Sequence, residues 1–249
     1  MRRAQTLLVS ILLAASTLSA SSQAAFAATG DVWSNSDSFS TKCVGFNDTY
    51  PRQLYNLNAT QMANLGYSPV TGGLGAGFTR AAFLRTVYYD YAIYVHSHGD
   101  NYWATSGAPN VDSAFLQDPG VGACSTSRDL IRASSVKAAT LGSVYHLVIM
   151  STCYLGSGIS TMPGAFQIEK VKNSTDPEFY LGYVHSTYDS SSLRFEQAFW
   201  SYLNGGTANS RTLYQAFTYA RGIGGYAYPD SANPFQPDWW GNPNYNGAV

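Results

Sequence analysis

Tyr91-Ala-Ile-Tyr-Val-His96 is an apolar, β-rich run that stops abruptly at Ser97-His98-Gly99-Asp100. Val144-Tyr-His-Leu-Val-Ile-Met150 is a second such run, stopping at Ser151-Thr152-Cys153. Neither alternates apolar with polar residues, the pattern of a strand covered on both faces and so of a parallel sheet. The interval from His98 to Cys153 holds a polar loop to Thr126, a helical stretch from about Ser127 (Leu130, Ser134, Ala138, Leu141) and the second strand. That is the content of one crossover, which returns the chain beside the strand it left.

Outward from this pair, Phe179 to Val184 reads as a third strand. Phe195, Ala198, Phe199, Tyr202 and Leu203 mark one face of a helix stopped by Gly205-Gly206. Leu213, Ala216, Phe217 and Ala220 mark another, closed by Gly222. Upstream, Asn58 with Gln61 resembles a capping pair that opens a short helix through Met62 and Leu65. Gly72, Gly73, Gly75 and Gly77 form a loop before a helix over Thr79 to Tyr88. They lack the Lys and Ser/Thr of a phosphate cradle. Strands alternating with helices predict an α/β fold, a mainly parallel sheet flanked by helices on both faces. In such sheets the active groups lie beyond the carboxyl ends of the strands, where His98 and Cys153 both fall.

A thiol becomes a good nucleophile when a neighbouring imidazole takes its proton and holds the thiolate. A Cys and a His delivered by adjacent strand ends meet that need. A second reading takes His96, His98 and Asp100 as a zinc-ligand run, two imidazoles and a carboxylate. Only His146 and His185 remain as further imidazole donors, and His146 opens a strand.

The whole chain sets the setting. Met1-Arg2-Arg3, the apolar run Leu7 to Ala15 and the small residues through Ala27 have the form of a secretory signal peptide. The run is shorter than the roughly 20 residues a membrane span needs, and no later stretch is longer, so no membrane anchor is expected. Without Arg2 and Arg3, 12 Lys and Arg face 15 Asp and Glu, a formal charge of −3. Nucleic acid is therefore not an expected partner, since binding it needs clustered cations. Residues 28–41, rich in Ser, Asp and Asn, read as a flexible leader before a first strand at Lys42 to Phe46. The α/β domain is expected over 42–225, followed by a Pro-, Trp- and Asn-rich tail over 226–249 packed down by Trp239-Trp240. Of the three cysteines, two can pair in an oxidising compartment; a Cys43–Cys124 disulfide would leave Cys153 as a thiol.

A strand ending in His-Gly, followed by a helix and a strand ending in Ser-x-Cys-x-x-Gly, resembles the caspase-like cysteine peptidases, in particular the gingipain and CHAT-domain branches. Here the motifs are Ala92 to Gly99 and Leu147 to Gly156, and the likeness extends through Leu181-Gly182-Tyr183, Asp189 and the Phe195 helix to Arg221. The resemblance implies a three-layer sandwich and a peptide or protein substrate, with no cofactor. It implies His98 as general base or charge partner and Cys153 as the nucleophile that forms an acyl-enzyme. The backbone N–H groups of Gly99 and Cys153 would hold the oxyanion, at about 3 kcal/mol per donor. Ser186, Thr187 and Asp189 follow the third strand and are candidate pocket residues, with Asp189 equally a helix cap. Thr152 departs from the smaller Ala common there, and the loop after Asp100 is long. A catalytically inactive, caspase-like binding protein is the alternative on the same scaffold.

Overall fold

The computed structural model describes residues 28–36, 49–100, 112–119, 129–206, 210–225 and 235–249. A six-stranded sheet organises them. In chain order its strands are β1 (Gly30–Ser34), β2 (Val70–Leu74), β3 (Ala92–His96), β7 (Leu147–Ser151), β8 (Phe179–Tyr183) and β9 (Pro237–Gly241). The spatial order is β2-β1-β3-β7-β8-β9, with every neighbouring pair parallel except the β8–β9 edge. A three-stranded antiparallel sheet of β4 (Gly99–Asp100), β5 (Ala114–Leu116) and β6 (Leu130–Arg132) lies on one side. Among the described residues no helix is long and apolar enough to cross a membrane.

The pleat divides the core in two. Val32, Ala92, Tyr94, Leu147, Ile149 and Leu181 pack with helices α1 (Pro51–Asn64), α5 (Asp189–Asn204) and α6 (Leu213–Ile223). Trp33, Ile93, Val95, Val148, Met150 and Tyr180 pack with α2 (Arg80–Thr86), α3 (Ala133–Ala139), the short α4 (Met162–Ala165) and the small sheet. Alternate residues of each strand thus feed opposite layers, and the predicted α/β sandwich is what forms. The β3, β7, β8, α5 and α6 readings each coincide with an observed element to within a few residues at most.

The chain departs from the sequence reading in several places, among them strand β5 inside the stretch read as a polar loop to Thr126. The stretch read as a leader over 28–41 contains β1, fully buried and hydrogen-bonded on both sides. Its polar residues are buried because they are partnered. Asp31 accepts the hydroxyls of Thr71 and Thr86, and the Ser34 hydroxyl lies 3.2 Å from the Pro51 carbonyl. The strand expected at Lys42 to Phe46 lies outside the described residues, and the domain includes β1.

The helix expected from Asn58 starts instead at Pro51, a residue suited to a first helical position. Asn58 is buried mid-helix, donating to Leu54 O and to Glu196 Oε2 (2.9 and 2.8 Å) and accepting from Trp200 Nε1 at 2.8 Å. Gly72 and Gly73 lie in strand β2, not in a loop: a Cβ on Gly72 would come within 1.9 Å of the Val32 carbonyl oxygen. Leu130 belongs to strand β6, so the helix read from about Ser127 begins only at Ala133. Of the tail, the described residues 235–249 pack on the domain, where β9 is an edge strand with Trp239 stacked on Phe179 at 5.5 Å between centroids.

At the amino edge of the sheet, burial and neighbouring Asp31 push the Asp90 carboxyl up to about 8. A carboxyl whose folded pKa is raised is protonated in the fold but ionises in the unfolded chain, so its stabilising effect is full at low pH and is lost as pH rises. Urea unfolding is expected to show stability falling between about pH 4 and pH 8 and levelling above it. Asp90→Asn is expected to remove on the order of a few kcal/mol of that fall; identical pH profiles for the two proteins would contradict it.

Candidate active site

β3 and β7 pair in register from Ala92↔Leu147 to His96↔Ser151. His98 and Cys153 each stand two residues past that last pair, on neighbouring parallel strands roughly 4.8 Å apart. Both are half-buried at the carboxyl edge of the sheet. The two chains stay together beyond the ladder. Ser97 N–H donates to the Ser151 carbonyl at 3.4 Å, and Gly99 lies so close that a Cβ there would come within 2.5 Å of the Cys153 carbonyl oxygen and 3.0 Å of Thr152 Cβ. Gly99 is the residue type that permits this approach.

The segment before His98 is tied down from two sides. The Ser97 hydroxyl donates to the Leu116 carbonyl at 2.5 Å and accepts from Asn35 Nδ2 at 2.9 Å, while Leu116 N–H donates to the His98 carbonyl at 3.0 Å. His98 is therefore the hinge at which the chain passes from the large sheet into β4 of the small one.

The turn after Cys153 is fixed against β8. Gly156 N–H donates to the Tyr183 carbonyl at 2.9 Å, and the Tyr180 hydroxyl donates to the Leu155 carbonyl at 2.8 Å. Gly156 and Gly182 meet backbone to backbone, and a Cβ on either would come within 2.4 or 2.7 Å of the other's main chain. Tyr154 adopts φ +62°, the left-handed region that a side chain enters at a cost of roughly 1 kcal/mol. Local strain thus falls on the residue directly after the thiol.

Cys153 keeps a thiol, and its sulfur accepts the backbone N–H of Thr187 at 3.4 Å. The Ser186 hydroxyl donates to the Tyr154 hydroxyl at 2.9 Å. Of the three pocket candidates, Ser186 and Thr187 therefore lie at the Cys153 turn. Asp189, the first residue of α5, is buried and accepts Thr49 N–H at 2.8 Å through Oδ2. Its Oδ1 stands 3.2 Å from His96 Nε2.

His96 is 2% exposed, with Nδ1 3.1 Å from the Ser34 hydroxyl oxygen and Nε2 on Asp189. Both ring nitrogens are engaged within the protein, which removes His96 from the ligand set His96, His98 and Asp100. Among the described residues no group of three or more His, Cys, Asp or Glu side chains is arranged to hold a metal ion. Beside His96, burial raises the Glu196 carboxyl, opposed by hydrogen bonds and by the charge of His96. Cys43 and Cys124 lie outside the described residues.

Sequence reasoning missed the Thr187 N–H, the strained Tyr154, and the Ser34–His96–Asp189 chain. Gly182, a lone glycine inside an apolar strand, was a legible sign of close backbone approach. Nothing local to Ser34 or Asp189 signalled that they share a histidine.

No protein-family model and no curated protein matches the chain by sequence. Solved structures with a similar fold include the Arg-specific cysteine proteinase gingipain R (RgpB), with TM-score 0.56 and 12% identity over 87% of this chain and 46% of that one. They also include a complex of the Porphyromonas gingivalis RgpB pro- and mature domains, with TM-score 0.53 and 12% identity over 87% and 48%. The chain spans about half the length of these proteins. The fold is the caspase-like α/β arrangement that the two strand-end motifs implied.

The close approach of Gly99 to the Cys153 turn makes a direct prediction. Gly99→Ala forces the two strand ends apart and is expected to destabilise by about 1–3 kcal/mol. Gly158→Ala, with nothing within 4 Å of its added Cβ, is expected to stay within about 0.5 kcal/mol of the parent protein. Urea unfolding of both variants checks it, and equal stabilities would refute the contact.

Proposed function

We propose that the chain is a secreted cysteine endopeptidase that hydrolyses peptide bonds through His98 and Cys153. The observation that carries this reading is the in-register end of β3 and β7, with Gly99 against the Cys153 carbonyl. It brings an imidazole-bearing and a thiol-bearing residue level with each other at the edge where open α/β sheets bind their ligands.

The chemistry follows from those groups. His98 takes the thiol proton, and the thiolate attacks the scissile carbonyl carbon. The oxygen takes up the negative charge and is held by the N–H groups of Gly99 and Cys153. His98 returns the proton to the leaving amine as the C–N bond breaks, leaving a thioester on Cys153. Water then attacks the thioester, its proton passing to His98, and the acid product leaves as the thiolate re-forms. A hydrogen bond from Thr187 N–H favours the charged sulfur over the neutral thiol. Ser186 and Thr187 border this turn and are the proposed first contacts for the substrate.

Residues 1–27 support export from the cell. In an oxidising compartment the proposed Cys43–Cys124 disulfide leaves Cys153 available for catalysis.

Incubation with a diverse peptide library and mass-spectrometric mapping of products tests the proposal. Cleavage is expected, with Cys153→Ala abolishing it and His98→Ala lowering its rate by about 10²–10⁴-fold. Cleavage that survives Cys153→Ala would overturn the proposal, as would a protein that cleaves nothing and whose Cys153 reacts with iodoacetamide no faster than an ordinary thiol.

A further inference from the structure

We propose that Asp189, together with His96, is a positioning residue that sets the reactivity of Cys153 by holding the Thr187 N–H on its sulfur. The inference rests on the reading of Cys153 as the reactive thiol.

Asp189 is the first residue of α5. Its carboxylate reaches to two other parts of the chain. One oxygen accepts Thr49 N–H at 2.8 Å, with Tyr50 N–H at 3.5 Å, in the segment leading into α1. The other faces His96 Nε2 at the end of β3, 3.2 Å away. His96 is held in turn by Ser34 at the end of β1. One buried carboxylate therefore ties the carboxyl ends of β1 and β3, and the start of α1, to the first residue of α5.

Only five residues, Val184 to Tyr188, connect the end of β8 to Asp189. Their β8 end is fixed by Val184 N–H on the Gln236 carbonyl at 2.8 Å and by Tyr154 N–H on the His185 carbonyl at 3.4 Å. Their helix end is fixed by Asp189. Thr187, two residues before that anchor, points its N–H at the Cys153 sulfur. A hydrogen bond to sulfur is worth most to the thiolate, so its geometry tunes the thiol's acidity. Among the described residues, the ionisable groups around this anchor include His96 of β3, Glu196 of α5 with Tyr94 and Tyr183 close to it, and His185 in the loop itself.

The network also predicts which substitution is tolerated. An asparagine at 189 keeps an oxygen for Thr49 N–H and turns its NH2 toward His96 Nε2. The neutral ring accepts that hydrogen bond while its Nδ1–H donates to Ser34, so the Thr49, His96 and Ser34 contacts are retained. If Asp189 acts by position, asparagine restores the wild-type behaviour; if it acts through its charge, asparagine does not.

The test is the pH profile of iodoacetamide alkylation at Cys153, read by peptide mapping so that Cys43 and Cys124 are scored separately. Asp189→Ala is expected to move the midpoint upward by about one pH unit and to slow alkylation about tenfold at pH 6.5, with no change at pH 10, where every thiol is ionised. Asp189→Asn is expected to recover the wild-type profile within about threefold. Should Asp189→Ala fail to fold, His96→Gln, which removes one of the two anchors, is expected to show the same shift at about half the size. A profile that overlays wild type in either folded variant overturns the proposal, as does an asparagine variant that behaves like alanine. Alkylation reads the thiol itself, so a shift without peptide turnover would refute the peptidase reading alone. Turnover without a shift would refute the positioning role alone.

Discussion

Parallel pairing of β3 with β7, in register to His96↔Ser151, is the constraint on which the rest of the molecule depends. Because a one-residue slip in a strand pair turns every side chain to the other face, the register is enforced by both core layers at once. Ala92 and Tyr94 face the α1, α5 and α6 side, and Ile93 and Val95 the other. The same register leaves one residue, Ser97 on one strand and Thr152 on the other, between that last pair and His98 and Cys153. Packing in the interior therefore sets where the imidazole and the thiol emerge, and the turn residues beyond need only keep them together.

Those turns are held by close backbone contacts and a small number of polar side chains. Gly99 meets the Cys153 carbonyl, and Gly156 meets Gly182. Tyr154 holds the left-handed conformation directly after the thiol, a strain of the kind that concentrates at functional sites and is sustained by surrounding structure. Beneath the strand ends, Ser34, His96 and Asp189 form a chain of buried polar contacts across the carboxyl edge. Removing one member would strand its partner away from water, which makes such networks demanding of their whole membership. The rim of the site is accordingly built on a rigid base.

Much of this was legible in the sequence. Long apolar runs with no alternation announced parallel strands, and their abrupt polar ends marked the edge where His98 and Cys153 stand. Elements specified by their partners were not legible. β1 looked like a polar leader because Asp31 and Ser34 are buried in hydrogen bonds with Thr71, Thr86 and His96, all distant in sequence. Asn58 mimicked a helix cap, yet serves a buried contact with Glu196 and Trp200. β9 carried no strand signal because Pro237 opens it and the pattern is short. At the site, residue types and order were readable, while the contacts of Asp189 with Thr49 and His96 were not. Only a folded chain shows which way a carboxylate faces.

The central claim is that one imidazole, one thiol and the Gly99 N–H act on a single carbonyl. The most direct measurement is a crystal structure of the protein with a peptide aldehyde chosen from a panel for inhibition. The account predicts a hemithioacetal on Cys153 Sγ whose oxygen lies about 3 Å from Gly99 N, with the His98 ring within hydrogen-bond reach of the adduct. An adduct whose oxygen points away from Gly99, or the failure of every aldehyde in the panel to bond Cys153, would contradict it.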